Sequence, residues 1–371
     1  MSTSENSSQA PSLKPLGASH FLWRSLAVVV IVVCVATTFA YAGGWLSPGT
    51  LTPARFVNTL EQIGGKHPGY RRNHARGLGV NGYFESNGNG EQLSRSTIFR
   101  AGKMNVIGRF SLSGGDPHAP DKSSEVRGLG LQFTSPDGQV WRTAMINLPV
   151  FPVQTPEAFH DMLLASQPDP ATGKPDPNAM QTFAQKHPDV AAAKKIIQQN
   201  PISTGFANTT FHGLNAFYFV NSAGKRTPVR WILQPEQSFV APDPAATSPD
   251  PNFLFHDLAD SIHHGSLRWR LKVIVGEPGD PTDNASVSWP ASREQIELGT
   301  LVLDAVEQVQ ESPADKINFD PLTLPDGIEP SDDPLLSARS AVYSQSFTRR
   351  AGETRQHPSP SEIPQHQGNE R

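Results

Sequence analysis

Gly77-Leu-Gly79-Val-Asn-Gly82-Tyr83-Phe84-Glu85 decides which kind of fold this chain can adopt. Its first six residues satisfy Gly-x-Gly-x-x-Gly, the pattern of a phosphate-binding turn set between a buried strand and a helix. Neither flank fits, because a charged stretch, Arg71-Arg-Asn-His74-Ala-Arg, comes before it and Tyr83-Phe84 comes after it. The segment therefore predicts a strand over residues 80–84 and no dinucleotide site. Similar strand patterns occur at 106–110, 128–133, 217–220 and 267–275, separated by Gly, Pro and Asp turns. Helical signals interrupt them. Thr155-Pro-Glu caps a helix running to about 167, and further helices are expected over 190–199 and 252–263. Residues 167–178, with four prolines, and 240–251 read as loops. The pattern is that of an α+β domain built on an antiparallel sheet or barrel.

The 371 residues carry a net charge of -4, with Lys+Arg 31 against Asp+Glu 35 and no long block of either sign, which argues against a nucleic-acid partner. Residues 25–45 are apolar and uncharged, about long enough to cross a bilayer. Lys14 and Arg24 precede them and favour a cytoplasmic N-terminus for the polar leader, residues 1–24. Ala40-Tyr-Ala42 is also a small-x-small site of the signal-peptidase kind. Anchor and signal both export the large domain, to the periplasm or the cell exterior; cleavage near Ala42 would release it. The single cysteine, Cys34, lies in that apolar run, which leaves the exported domain without a disulfide or a thiolate. Residues 351–371 are polar and read as a disordered tail.

Close to the end stands Pro334-Leu-Leu-Ser-Ala-Arg339-Ser-Ala-Val-Tyr343, led in by Pro330-Ser-Asp-Asp333. Residues four apart share a helix face, so the Arg339 guanidinium is expected against the Tyr343 phenol oxygen. A fixed cation favours the phenolate of a side chain that otherwise titrates near ~10. Tyrosinate is an axial ligand for haem iron. A packed ring beneath a snorkelling arginine has the same spacing and is the commoner arrangement.

Other motifs narrow the choice. Arg71-x-x-His74-Ala-x-Gly77 comes before Gly82-Tyr83-Phe84-Glu85, followed by Gly108-Arg109-Phe110-Ser111, Arg127-Gly128-Leu-Gly-Leu-Gln-Phe133 and Pro149-Val-Phe151. Asn318-Phe-Asp-Pro321, Gly327-Ile-Glu-Pro330 and the tyrosine helix complete the series. In this order and spacing they resemble the haem catalase family, over residues 51–350.

The resemblance implies an eight-stranded antiparallel β-barrel with added helices, and haem b as cofactor. It assigns His74 as the base above the iron, a role suited to an imidazole that titrates near working pH. Ser111 would orient that ring, Arg71, Arg109 and Arg350 would pair with haem propionates, Phe151 and Phe159 would line the haem and its approach, and Tyr343, tuned by Arg339, would hold the iron.

The departures matter as well. Ile146 or Asn147 stands where the family has its distal asparagine, and Asn147 is kept as a catalytic candidate. Asn73 replaces an apolar neighbour of the distal histidine, and Gln345-Ser-Phe-Thr348 replaces Asp-Thr-x-Arg. With a short region beyond the tyrosine helix and little N-terminal arm, the chain is similar to the small catalase-related peroxidases. The expected activity is reduction of hydrogen peroxide or an organic hydroperoxide at the expense of a small organic electron donor. The alternatives are a haem carrier, a true catalase and a hydroperoxide isomerase on the same scaffold. His256, His263 and His264 lie near Asp257 and Asp260 but complete no metal site. The sequence leaves the oligomeric state open.

Overall fold

The computed structural model describes residues 18–42, 46, 49–169, 172, 174–243, 248–308 and 312–355. In chain order the elements are α1 (Ala18–Ala42), α2 (Pro53–Gly64), β1 (Gly77–Ser86), β2 (Gly102–Leu112), β3 (Arg127–Thr134), β4 (Val140–Ile146), α3 (Pro156–Ala165), α4 (Pro177–Lys186) and α5 (Val190–Gln198). Then follow β5 (Phe211–His212), β6 (Phe217–Val220), β7 (Arg226–Pro235), α6 (Phe253–His264), β8 (Leu267–Val275), β9 (Gln295–Glu307), α7 (Pro313–Lys316), β10 (Ile328–Pro330) and α8 (Pro334–Ala351).

Contacts divide the chain into two units at Thr52 and Pro53. The first holds α1, an exposed helix whose span Phe21–Tyr41 is predominantly apolar, with Arg24 as its one charged residue. At 1.5 Å per residue those 21 residues reach roughly 31 Å, about the thickness of a bilayer's hydrocarbon core. A helix of this length and composition is long and apolar enough to cross a membrane. It runs from Ala18 to Ala42, so it takes in the last seven residues of the expected leader; residues 1–17 and 43–45 lie outside the described residues.

The second unit is built on β1, which pairs antiparallel with β2 on one edge and β9 on the other. The Gly-x-Gly-x-x-Gly segment is thus strand, as its flanks required. Pairing continues from β2 through β3, β4 and β5 to β7, and from β9 to β8; β7 then pairs with β8 and closes an eight-stranded antiparallel barrel. β6 shares with β5 the same edge of β7, and β10 adds beside β6.

Strand alternation sorts side chains between the inside and outside of the ring. Inside, Phe84, Phe110, Phe133, Trp141, Phe211, Phe217, Trp231 and Trp269 are fully buried. The rings of Phe133 and Trp141 stack at 4.8 Å, and Trp141 meets Trp231 edge-on at 5.1 Å. Each such side chain contributes roughly 1.5–3 kcal/mol of burial, and together they fill the barrel, so a ligand must bind elsewhere. On the outer face of β2, β3 and β4 the register sets Ser111 beside Gly128 and Ile146, and Arg109 beside Gly130 and Ala144. These two rungs form one wall of the site.

Helices cover that wall. Thr155 caps α3 by accepting from the Ala158 N–H, with Pro156 in the first turn, and α3 ends at Ala165, two residues before the expected 167. α5 and α6 lie within one residue of the expected 190–199 and 252–263. Three helices were not foreseen: α2, the single turn α7, and α4, whose Asp176 cap and Pro177 fall inside the expected loop. At the far end, residues 351–355 are not disordered tail. Glu353 accepts from the Gly69 N–H at 2.8 Å, and Arg355 donates to the Gly69 carbonyl at 3.1 Å. Residues 356–371 lie outside the described residues.

Candidate active site

A cavity of about 430 Å³ lies between the outer wall of β2–β4, the loop carrying Arg71 and His74, and helices α2, α3 and α8. That volume suits a cofactor or small-molecule site. Its lining is mainly apolar, and the polar groups fall into three sets.

The first set centres on His74, whose φ of 54° is left-handed, an uncommon conformation for any residue but glycine. Asn73 stabilises this turn, since its Oδ1 accepts from the N–H groups of His74 at 2.9 Å and Gly114 at 2.8 Å. The unusual backbone swings the imidazole over the wall, where Nδ1 lies 3.1 Å from Ser111 Oγ. Gly128 lies beneath the pair. A Cβ there would come within 2.7 Å of Ser111 Oγ and 3.0 Å of His74 Nδ1, so only glycine leaves the ring its place. Burial, aided by Arg109, Arg339 and Arg71, pushes His74 down to about 3, which keeps the imidazole neutral at working pH.

Asn147 does not join this set. Its Oδ1 accepts from the Arg127 N–H at 2.9 Å and its Nδ2 donates to the Glu125 carbonyl at 3.0 Å, which fixes it beside the start of β3. Ile146 lines the cavity instead. The expectation that Asn147 reaches the distal side is therefore corrected: strand alternation gives that face to the residue before it.

The second set is cationic. Arg109, on β2, donates to the carbonyls of His74 and Ala75, each at 2.9 Å, while its buried Nε has no partner. Arg71 donates to the carbonyls of Ala314 at 2.9 Å and Ile317 at 3.1 Å, and Arg350 donates to those of Asp315 and Ile317. Burial lowers all three guanidinium groups, Arg109 to about 9 and Arg350 to about 10; Arg71 is further depressed by its neighbours Arg109 and Arg350. Three crowded cations with an orphaned N–H favour an anion.

The third set is on α8. Asp333 caps the helix through the Leu335 N–H at 2.9 Å, and its other oxygen accepts from Asn215 Nδ2 at 2.7 Å. Asn215 Oδ1 accepts in turn from Arg339, which also donates to the Ala144 carbonyl at 3.0 Å. Arg339 and Tyr343 share one helix face, as their spacing demands, but the guanidinium lies over the ring, 6.0 Å from its centroid. The expected seat against the phenol oxygen is corrected, because Asn215 and Ala144 hold the guanidinium. Tyr343 packs on Ala314, Ile317 and Phe319 and borders the cavity. Toward the outside, Phe151 and Phe159 meet edge-on at 5.0 Å and Phe159 touches Phe56 of α2 at 5.6 Å.

The family model described as catalase matches residues 44–366. The chain belongs to the catalase family. A protein named catalase-related peroxidase from Synechococcus elongatus is 37% identical over 331 residues, covering 89% of this chain and 96% of that one. Another of that name, from Mycolicibacterium paratuberculosis, is 33% identical over 308 residues, covering 82% and 96%. Among solved structures, a fungal catalase superposes with a TM-score of 0.69 at 21% identity, covering 78% of this chain and 60% of that one. A bacterial catalase gives 0.66 at 20% identity, covering 78% and 58%, so the chain spans about three-fifths of these catalases.

Catalase-family proteins usually bind haem. The cavity suits such a group on its own terms: the lining is mainly apolar, the orphaned Arg109 Nε lies among further arginines able to pair with carboxylates, and both an imidazole, His74, and a phenol, Tyr343, border the same space. Four contributors were missed from sequence. Asn215, Asp315 and the α2 residues Phe56 and Leu60 come from distant parts of the chain. Of these only α2 carried a local signal, its apolar spacing of four and three through Phe56, Leu60 and Ile63.

Proposed function

We propose that this catalase-family chain is a haem-b peroxidase that reduces hydrogen peroxide or an organic hydroperoxide while oxidising a small organic donor. The supporting observation is the placement of His74, held by Ser111 and Asn73 over the same cavity that Tyr343 and three arginines border. The printed names of the relatives from Synechococcus and Mycolicibacterium agree with it. Tyr343 would ligate the iron through its phenolate, and Arg71, Arg109 and Arg350 would hold the propionates.

The chemistry supplied by bound haem is two-electron reduction of the peroxide, with the electrons recovered from the donor. Cleaving an O–O bond needs a proton moved from one peroxide oxygen to the other. His74 Nε2, on the ring edge away from Ser111, accepts that proton and returns it to the departing oxygen, which leaves as water or alcohol. Ser111 fixes the ring through Nδ1 and so keeps Nε2 available. Ile146 supplies no hydrogen bond at the neighbouring position, which favours oxidation of an organic donor over that of a second peroxide.

Because burial holds His74 near 3, the peroxide step should be flat from about pH 5 to 8; an acid limb near 6.5 would show an exposed, ordinary histidine. The absorption spectrum of the purified chain, followed by oxygen release and donor oxidation after adding hydrogen peroxide, tests the whole assignment. A tyrosinate-type ferric spectrum with donor oxidation and little oxygen is expected. Vigorous oxygen release would make it a true catalase, and a protein that takes up no haem would overturn the assignment. α1 would serve as the anchor that places this activity in the periplasm or outside the cell, or as a signal cleaved near Ala42.

A further inference from the structure

β1 allows an unusual approach at Gly79. A Cβ there would come within 2.3 Å of Ser312 Oγ, so the bare backbone lets Ser312 seat against the strand. Ser312 Oγ then accepts from the Ala314 N–H at 3.2 Å and starts the single turn of α7. This turn presents acceptors to arginines from three other places. Asp315 Oδ1 lies 3.5 Å from Arg71 Nη1, 3.6 Å from Arg350 Nη1 and 2.7 Å from Arg355 Nη2. Arg71 and Arg350 also share the Ile317 carbonyl, so the two cations are pressed together. Arg355 is itself clamped, donating to the Gly69 carbonyl while its guanidinium lies 4.7 Å from the Tyr70 ring centroid.

We propose that Asp315 is the counter-charge that orients Arg71 and Arg350 toward the carboxylate edge of the bound haem, with Arg355 holding Asp315 in place. Asp315 and Arg355 are positioning residues that act through the two cavity arginines, and the proposal rests on the haem assignment above. Without the carboxylate, two guanidinium groups a few ångströms apart repel and splay, and the haem carboxylates lose their paired donors. The same charges act on the iron. Removing a negative charge near the site favours the electron-richer ferrous form, and removing a positive one disfavours it.

The test uses the haem-loaded full chain with Asp315→Asn, Asp315→Glu and Arg355→Gln. It reads the rate of haem transfer to excess apomyoglobin and the ferric/ferrous midpoint potential. Asp315→Asn should release haem at least about tenfold faster and shift the midpoint positive, and Asp315→Glu should restore most of both. Arg355→Gln should also release haem faster but shift the midpoint negative. Opposite signs are not expected from two substitutions that merely loosen the fold, so Arg355→Gln keeps the idea testable if Asp315→Asn fails to fold. Transfer rates within twofold of wild type with an unmoved midpoint, or shifts of the same sign, would overturn the role of Asp315. A wild-type chain that takes up no haem would instead overturn the haem assignment.

Discussion

Alanine at position 74 should leave haem bound and cut peroxide-dependent donor oxidation by about 10²–10⁴-fold, the usual worth of a positioned acid–base group. The effect follows from geometry. His74 is the group that Asn73 holds in a left-handed turn and Ser111 holds through Nδ1, whereas the groups assigned to grip haem lie on β2, α8 and the Arg71 segment. Removing the imidazole therefore takes away proton transfer and little of the binding. Steady-state donor oxidation checks this, together with the haem content of the purified variant. Full haem with undiminished turnover would eliminate His74 as the base, and full haem with no turnover in wild type would leave a carrier.

Phenylalanine at position 343 should have the second large effect, with a different signature. The ring keeps its packing on Ala314, Ile317 and Phe319, so the haem-free protein should melt within about 1 kcal/mol of wild type. The oxygen that would ligate iron is gone. The ferric spectrum should lose its tyrosinate character, haem should leave the protein readily, and donor oxidation should fall to background. Spectra of His74→Ala and Tyr343→Phe recorded side by side separate the two roles, because only the latter should alter the ligand bands of the resting protein. An unchanged ferric spectrum in Tyr343→Phe would show that iron, if bound, is held by another residue.

The strands that could be read from sequence are those whose apolar residues run unbroken, as in β6, or alternate with charged ones, as in β8, which match the expected 217–220 and 267–275. Those not recognised were the two- and three-residue β5 and β10, too short to carry a pattern, and β4, β7 and β9, for physical reasons. In β4 a buried Thr143, which accepts from Trp231 Nε1, interrupts the apolar phase. In β7 the buried Arg230 and two prolines blur it, since the Arg230 Nη groups donate to the Val287, Pro281 and Asn284 carbonyls and not to water. In β9 the alternation breaks at Gly299, close to a register shift between β8 and β9. Candidate site residues within motifs were equally legible: His74, Ser111, Arg71, Arg109, Phe151, Phe159, Arg339, Tyr343 and Arg350 all line one cavity. Asp315 and Asn215 were not, because their meaning arises only when residues near 71, 144, 339 and 350 are brought beside them. Asn147 shows the limit of counting along a strand, where one step of register exchanges the cavity face for the opposite one.

The closure of β7 on both β5 and β8 bears on how the protein behaves when crowded. An open sheet exposes rows of unpaired N–H and C=O groups that recruit other chains into intermolecular strands. In the ring most of those rows are paired, although β4 meets β5 only at Ile146 and His212, and the outermost strand of the ladder is β10, only three residues long. It carries Glu329, which pairs with Arg226 at 2.8 Å, and ends in Pro330, which has no N–H to offer. The barrel should therefore resist strand-to-strand self-association even at high concentration, and a fall in solubility on mild heating would mark the opening of the ring itself.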